Sequence, residues 1–572
     1  MYGGVHNDIY IFAILNCIWM SRVGVALVAF LFFAGCAQRQ QVDNNSMVFR
    51  YNESKGITSL DPAFARSLPL IWPVHQLYNG LVQLSDSLTV EPGIAKSWEV
   101  DESGLRYTFN LRTDVEFHDS PLFPDGKGRR VVAGDFIYSF GRILNPAVAS
   151  PGAWIFSVLD TDHPNTTYGL RAINDSTLAI HLTKPFPAFL GLLSMPYAYV
   201  VPHEVVEHYG KDFRSNPIGT GPFYFKYWKE GEKLVLRKNP NYFEVDESGQ
   251  PLPYLEAVNI SFITDKQSEF LEFLLGSIDY ISGIHTTSKD ELLTRAGALN
   301  PKYAHRVKML TGPYLNTEYL GILVDTTLDI MKSHPLGKLE VRKAIASGFD
   351  RERMMTYLRS NMGYPAHNGF VPKGMPGFSD RVKGYSYNPE LARELLAKAG
   401  YPNGSGLEPI VLCTTSDYLD IAEFLQHQLA DVGIPLRVEV FPGPAYREMM
   451  ANSRLRLFRG SWVADYADAE NYLSLFLSQN FSPGGPNYTH FANSEFDSLY
   501  LKALRISSDT ERYVLYNQMD SLVMSQVPVV PLFYDKVVRF VNPRVEGMST
   551  NPMNLLNLKR VRKITENDTN SR

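Results

Sequence analysis

Cysteine is almost missing from this chain. Its 572 residues include three, Cys17, Cys36 and Cys413. The first two lie in an apolar leader, which leaves Cys413 alone in the folded part. No internal disulfide and no cysteine-based zinc site can form there. Cys413 sits in the apolar run I-V-L-C and is expected in the core. An excess of either charge is missing too. The chain has 55 Lys and Arg against 60 Asp and Glu, a formal net charge of −5. No basic patch interrupts that balance, so nucleic acid is not an expected partner.

The loops that mark common enzymes are also absent. There is no phosphate-binding G-x-x-x-x-G-K-[ST] and no G-x-S-x-G. Gly219 and Gly221, in N-P-I-G-T-G-P-F, lack the third glycine and the following helix of a dinucleotide loop. The run H-E-V-V-E-H at 203–208 has the wrong spacing for a zinc protease. That chemistry needs His at 203 and 207, or at 204 and 208, and positions 204 and 207 are Glu. His203 and His208 fall about 140° apart around a helix, the pattern of a solvated face. No cofactor, no metal and no catalysis are expected.

What is present begins with the leader. Arg22 precedes the apolar run V-G-V-A-L-V-A-F-L-F-F, followed by Ala34, Gly35 and Cys36. This is the layout of a secretory signal over residues 1–36, with Met20 an alternative start. The apolar run is too short to span a bilayer comfortably. Ala-Gly-Cys resembles a bacterial lipoprotein cleavage box, which makes Cys36 the expected lipidation site.

The remaining length, about 530 residues, exceeds one simple core and calls for two or three domains. A strand is expected from Met47. Tyr107–Arg112 alternates as the return strand of a hairpin after the turn at Asp101–Gly104, and a second hairpin centres on Asn174-Asp175. A helix starts near Asp135. Residues 86–199 thus read as a hairpin-rich unit. From Leu339 the pattern becomes helix and strand in alternation. It gives a helix over 340–350, another after Pro389 ending at Gly400, a strand at 410–414, a helix at 421–432 and a strand at 436–441. That rhythm predicts a parallel sheet with helices on its faces. Residues 495–527 read as helical, and Val529–Tyr534 as a late strand.

The stretch Arg454–Tyr472, R-L-R-L-F-R-G-S-W-V-A-D-Y-A-D-A-E-N-Y, carries the most chemistry. Leu455 and Leu457 alternate with Arg454 and Arg456 as in a half-buried strand, and Gly460 is read as its end. Trp462 and Asp465 follow, then Asp468 and Glu470. A carboxylate beside an aromatic wall at a strand end suits an ammonium group. The competing reading is a solvated acidic loop in which Asp468 caps the next helix.

Eight short segments in sequence order resemble one family over the whole mature chain. They are L-D-P (60–62), E-P-G-I-A-K-S-W-E-V (91–100), Y-T-F-N-L-R-T-D-V-E-F-H-D (107–119), A-G-D-F-I-Y-S (133–139), N-P-I-G-T-G-P-F (216–223), R-K-N-P-N-Y-F (237–243), V-R-K-A-I-A-S-G-F-D-R (341–351) and A-K-A-G-Y-P (397–402). The chain resembles the extracellular solute-binding proteins of the oligopeptide, dipeptide and nickel class that serve bacterial ABC importers, with W-V-A-D-Y at 462–466 pointing to the oligopeptide branch. The resemblance implies an α/β, two-lobed periplasmic-binding-protein (Venus-flytrap) fold with an additional hairpin-rich domain. Lobe I would comprise 47–85, 200–303 and 527–562, the extra domain 86–199 and lobe II 304–526, with a disordered tail at 563–572.

The resemblance also implies roles. Asp465 would pair with a peptide's α-amino group beside Trp462, and Arg459 would face its C-terminal side. Met450 stands where that branch has a second Arg. Arg66, Ser67 and Leu68 would line the cleft with backbone groups. The implied ligand is a peptide bound as an added strand in a closing cleft. The implied partners are a membrane permease with its cytoplasmic ATPase, and the membrane through lipid on Cys36. The protein would be a monomer on the periplasmic or extracytoplasmic face of the cell envelope. Alternatives are a non-peptide solute, such as a nickel chelate or an oligosaccharide, and a surface lipoprotein without a transport role.

Overall fold

The computed structural model describes residues 47–283, 289 and 291–564. The leader with Cys36, and residues 565–572, lie outside them. Lys563, assigned above to the tail, belongs to the fold. Its ammonium bonds both Asp279 oxygens, at 2.8 and 3.1 Å, and the Val48 carbonyl.

Two long antiparallel strands, Lys308–Ile322 and Val529–Val541, form the spine of an eleven-stranded sheet. Beyond the second of them lie Tyr280–Ser282, Val48–Asn52, Ala257–Ser261, Lys233–Lys238 and Phe223–Lys229. Beyond the first lie Leu457–Val463, Ile410–Thr414 and Leu436–Val440. Two of the parallel pairs, Val48–Asn52 on Ala257–Ser261 and Ile410–Thr414 on Leu436–Val440, have helices in their connections, as is usual for parallel pairing. The short strand Tyr364–Pro365 also joins Val529–Val541.

The ladder between the long strands shifts register twice, broadly in the middle and again between Glu318 and Tyr319. Lys308–Pro313 pairs with Val541–Lys536, and pairing resumes at Thr317 opposite Tyr534. Four residues of advance on one strand thus meet two on the other, and Tyr314–Asn316 bulges out opposite Asp535. On one side the spine joins the strands around Val48–Asn52. On the other it joins those around Leu457–Val463. The apolar cluster of Leu412, Ile345, Leu425 and Val530 belongs to the second side. This is a two-lobed α/β arrangement.

A separate four-stranded antiparallel sheet takes Ala95–Val100, Arg106–Leu111, Thr177–His181 and Leu170–Asn174, in that order. Its first turn is built on Asp101, whose Oδ1 accepts from the backbone N–H groups of Leu105 and Arg106 at 3.0 Å. Beside the sheet runs the helix Ala133–Leu144. Asp135 stands in its first turn, accepts from the Val132 N–H at 2.9 Å, and is gripped by both terminal nitrogens of Arg129. A carboxylate there complements the unpaired N–H groups of the helix start.

Several bounds differ from expectation. Gly460 does not end its strand, which runs from Leu457 to Val463. The helix expected over 340–350 stops at Ser347, and Asp350 caps the next one by accepting from the Arg353 N–H. The expected helix over 495–527 is two, Ser494–Ala503 and Asp509–Gln526. The second begins at Asp509 and is capped by the side chain of Ser508.

Candidate ligand-binding site

The site grows from Gly460. Strand Leu457–Val463 lies antiparallel to Asn316–Ile322, with Gly460 opposite Tyr319. A Cβ at 460 would stand 2.4 Å from the Tyr319 ring, so only glycine lets the ring lie across the strand. The strand therefore continues past Gly460. The Ala464 N–H then bonds the Leu315 carbonyl at 2.9 Å, which delivers Trp462 and Asp465 beside the break in the spine.

One side chain holds both of them. The Asn471 carbonyl oxygen accepts from the Trp462 indole N–H at 3.0 Å and the Asp465 backbone N–H at 3.3 Å. Its amide nitrogen reaches an Asp465 carboxylate oxygen at 3.4 Å. Asn471 is buried. It was missed from sequence because an asparagine one helical turn past a charge run has no distinguishing pattern. The Tyr472 hydroxyl lies within hydrogen-bond reach of the Leu315 and Trp462 carbonyls, at 2.8 and 3.0 Å, and fixes the same corner.

The three acids of the stretch have different fates. Asp468 and Glu470 are buried, so the stretch is not a solvated loop. Asp468 does accept from the Glu470 N–H at 2.9 Å, and it also pairs with Arg512 at 3.2 Å. Glu470 accepts from the Tyr466 and Tyr500 hydroxyls. Asp465 is exposed and has no cationic partner among the described residues. Neighbouring protein still removes much of its water, which raises its pKa above the ordinary carboxylate value; Asn471 offsets this only in part.

Tyr197 lies within electrostatic reach of Asp465. Burial first and the Asp465 charge second, opposed by Arg66, push its phenol up to about 12. Tyr197 thus senses both candidate segments. Nearby, Tyr466 rests against Trp154 and Phe186 at ring separations of 6.3 and 6.5 Å. Arg66 and Ser67 are exposed and Leu68 is half-buried. Ser67 precedes the helix Leu68–Leu77, and its carbonyl accepts from the N–H groups of Leu70 and Ile71. The Arg66 N–H bonds the Phe64 carbonyl. Those two backbone groups are therefore engaged within the fold.

Arg459 is buried and matched. Its guanidinium bonds the Glu318 carboxylate and lies 3.1 Å over the Tyr418 ring. Met450 packs against the core from the helix Gly443–Ala451. Arg454 and Arg456 are exposed, and Arg456 bonds the Ile330 carbonyl. At the break in the spine, the Asn316 amide donates to Asp535 at 2.5 Å and to Glu318 at 3.0 Å. Burial, with the Glu318 charge second, pushes the Asp535 carboxyl up to about 6. The corner thus offers one accessible, unmatched carboxylate beside an indole, which suits a cationic group. Among the described residues no group of three or more His, Cys, Asp or Glu is placed to hold a metal ion, and no helix is long and apolar enough to cross a membrane.

Comparison with known proteins agrees with this architecture. The profile of the bacterial extracellular solute-binding proteins, family 5, matches residues 89–483. Heme-binding protein A of Haemophilus influenzae is 27% identical over 90% of this chain and 92% of its own. The periplasmic oligopeptide-binding protein OppA of Escherichia coli is 26% identical over 87% and 88%. Among solved structures, the unliganded open form of the periplasmic murein tripeptide-binding protein MppA superposes with a TM-score of 0.77. It covers 91% of this chain and 98% of its own at 24% identity. The chain belongs to the bacterial extracellular solute-binding proteins of family 5, which are binding proteins and not enzymes.

Proposed function

We propose that this protein captures peptides with a free amino terminus and hands them to the membrane permease of an ABC importer. The observation that carries the reading is Asp465: an accessible carboxylate without a cationic partner, ordered by Asn471 beside the Trp462 indole. The names of two relatives support it, since OppA and MppA are described as binding an oligopeptide and a murein tripeptide. Arg459 is matched by Glu318 and position 450 is Met. The amine end therefore carries the recognition, and a terminal carboxylate adds little. Lipid on Cys36 would hold the protein at the outer face of the membrane.

Calorimetry with a tripeptide and its N-acetylated form tests the proposal. Truncating one side of a buried, hydrogen-bonded charge pair costs about 2–5 kcal/mol. Asp465→Asn is therefore expected to weaken the free peptide about 30- to 4,000-fold. Acetylation should weaken wild type by a similar factor, and the two changes together should cost little more than either. Equal binding of the free and acetylated peptides by wild type would overturn the amine reading and put a non-peptide solute first.

A further inference from the structure

A cavity of about 1120 Å³ lies between the segment Thr58–Leu70 and the helix Ala133–Leu144. No residue of 457–472 lines it, and Arg66 is the one residue it shares with the candidate segments of the Asp465 corner. Its size slightly exceeds the usual range of small-molecule sites, about 300–1,000 Å³. Its floor is the pair of Asp61 and Arg142, bonded through both carboxylate oxygens at 2.5 and 2.9 Å. That pair is electrically matched, so the remaining side chains decide the sign of the cavity.

Two cations on the lining, Arg66 and Lys211, are exposed and have no carboxylate or hydrogen-bond partner for their side chains among the described residues. Arg214 is already bonded to Glu230 at 2.8 Å. Glu207 is the one further acid on the lining. The net result is positive. Ile137, Val148 and Pro151 add apolar surface to the lining. Tyr168 completes it, leaving 42% of its surface exposed while its ring lies over Gly141, where a Cβ would come within 3.1 Å. Tyr168 also holds a backbone φ of +54°. A bulky residue seldom adopts that conformation, and such outliers concentrate at binding sites. We infer that this cavity binds an amphipathic organic carboxylate, with its apolar body on the Tyr168 wall and its carboxylate at Arg66 and Lys211.

The test uses the mature chain and dodecanoate below its micellar concentration, with dodecyl maltoside as the uncharged amphiphile. Calorimetry should show one saturable site for dodecanoate and at least tenfold weaker binding of the maltoside. Ala147 lines the cavity and is exposed; Ala147→Trp should block it and weaken dodecanoate at least tenfold. Lys211→Gln removes one exposed cation without touching the core and should weaken dodecanoate at least threefold. It should leave the maltoside unchanged. Absence of saturable binding, equal binding of the two amphiphiles, or wild-type affinity in Lys211→Gln and Ala147→Trp would each overturn the inference. Should Ala147→Trp fail to fold, Lys211→Gln decides alone.

Discussion

Arg459 can be separated from the ligand by one substitution. In the structure its guanidinium is matched by Glu318, and the two side chains are 10% and 4% exposed. Arg459→Met keeps the length and removes the charge. It leaves Glu318 buried with only the Asn316 amide to compensate it. Removing one partner of a buried ion pair costs about 3–5 kcal/mol, so urea unfolding should show a loss of that order. Adding Glu318→Met should recover most of it, because the second change removes the stranded carboxylate. Peptide affinity should move by less than about threefold, well under the 1.4 kcal/mol of one decade. C-terminal amidation of the peptide should matter as little. If Arg459→Met folds with wild-type stability and binds peptide a hundredfold more weakly, the reasoning fails and Arg459 is a ligand group.

Three further outcomes are expected. Asp520 is buried without a cation and accepts from the N–H groups of Phe370 and Val371, and burial pushes its carboxyl up to about 7. The folded state therefore holds this proton more tightly than the unfolded chain. Stability from this group should fall as pH rises from about 4 through about 7, by up to about 4 kcal/mol, and Asp520→Asn should flatten that slope in urea titrations. Gly460→Ala should cost about 1–3 kcal/mol by forcing the Tyr319 ring aside, measured as a fall in the urea midpoint. Cys36→Ser should move the protein from the membrane fraction to the soluble one or leave its leader uncut, and intact mass should show no acyl chains.

Local features were legible and distant ones were not. The strand at Ile410–Thr414 was expected with the bounds observed, and Gly400 follows its helix with a φ of +91°. A short apolar run and a helix-ending glycine are decided by neighbours in sequence. Asp465 and Trp462 could be picked out by residue type and by resemblance. Burial could not be read that way, because Asp465, Asp468 and Glu470 look alike in sequence and differ only in what folds over them. The resemblance places Arg459 at the ligand, and its pairing with Glu318, 141 positions away, is not legible in sequence. Gly460 was read as a strand end because the Tyr319 ring it accommodates belongs to another strand.

The break in the spine has a mechanical consequence. Regular pairing precedes Tyr314–Asn316 and Asp535, and a second register shift follows at Glu318/Tyr319, so a turn of one lobe against the other would be absorbed between Pro313 and Tyr319. In such a turn each lobe would act as a lever about one short pivot. Rotations too small to notice at the fulcrum become large displacements at the tips, where Tyr466 stands against Trp154. A single distance between those two rings would then report the angle between the lobes.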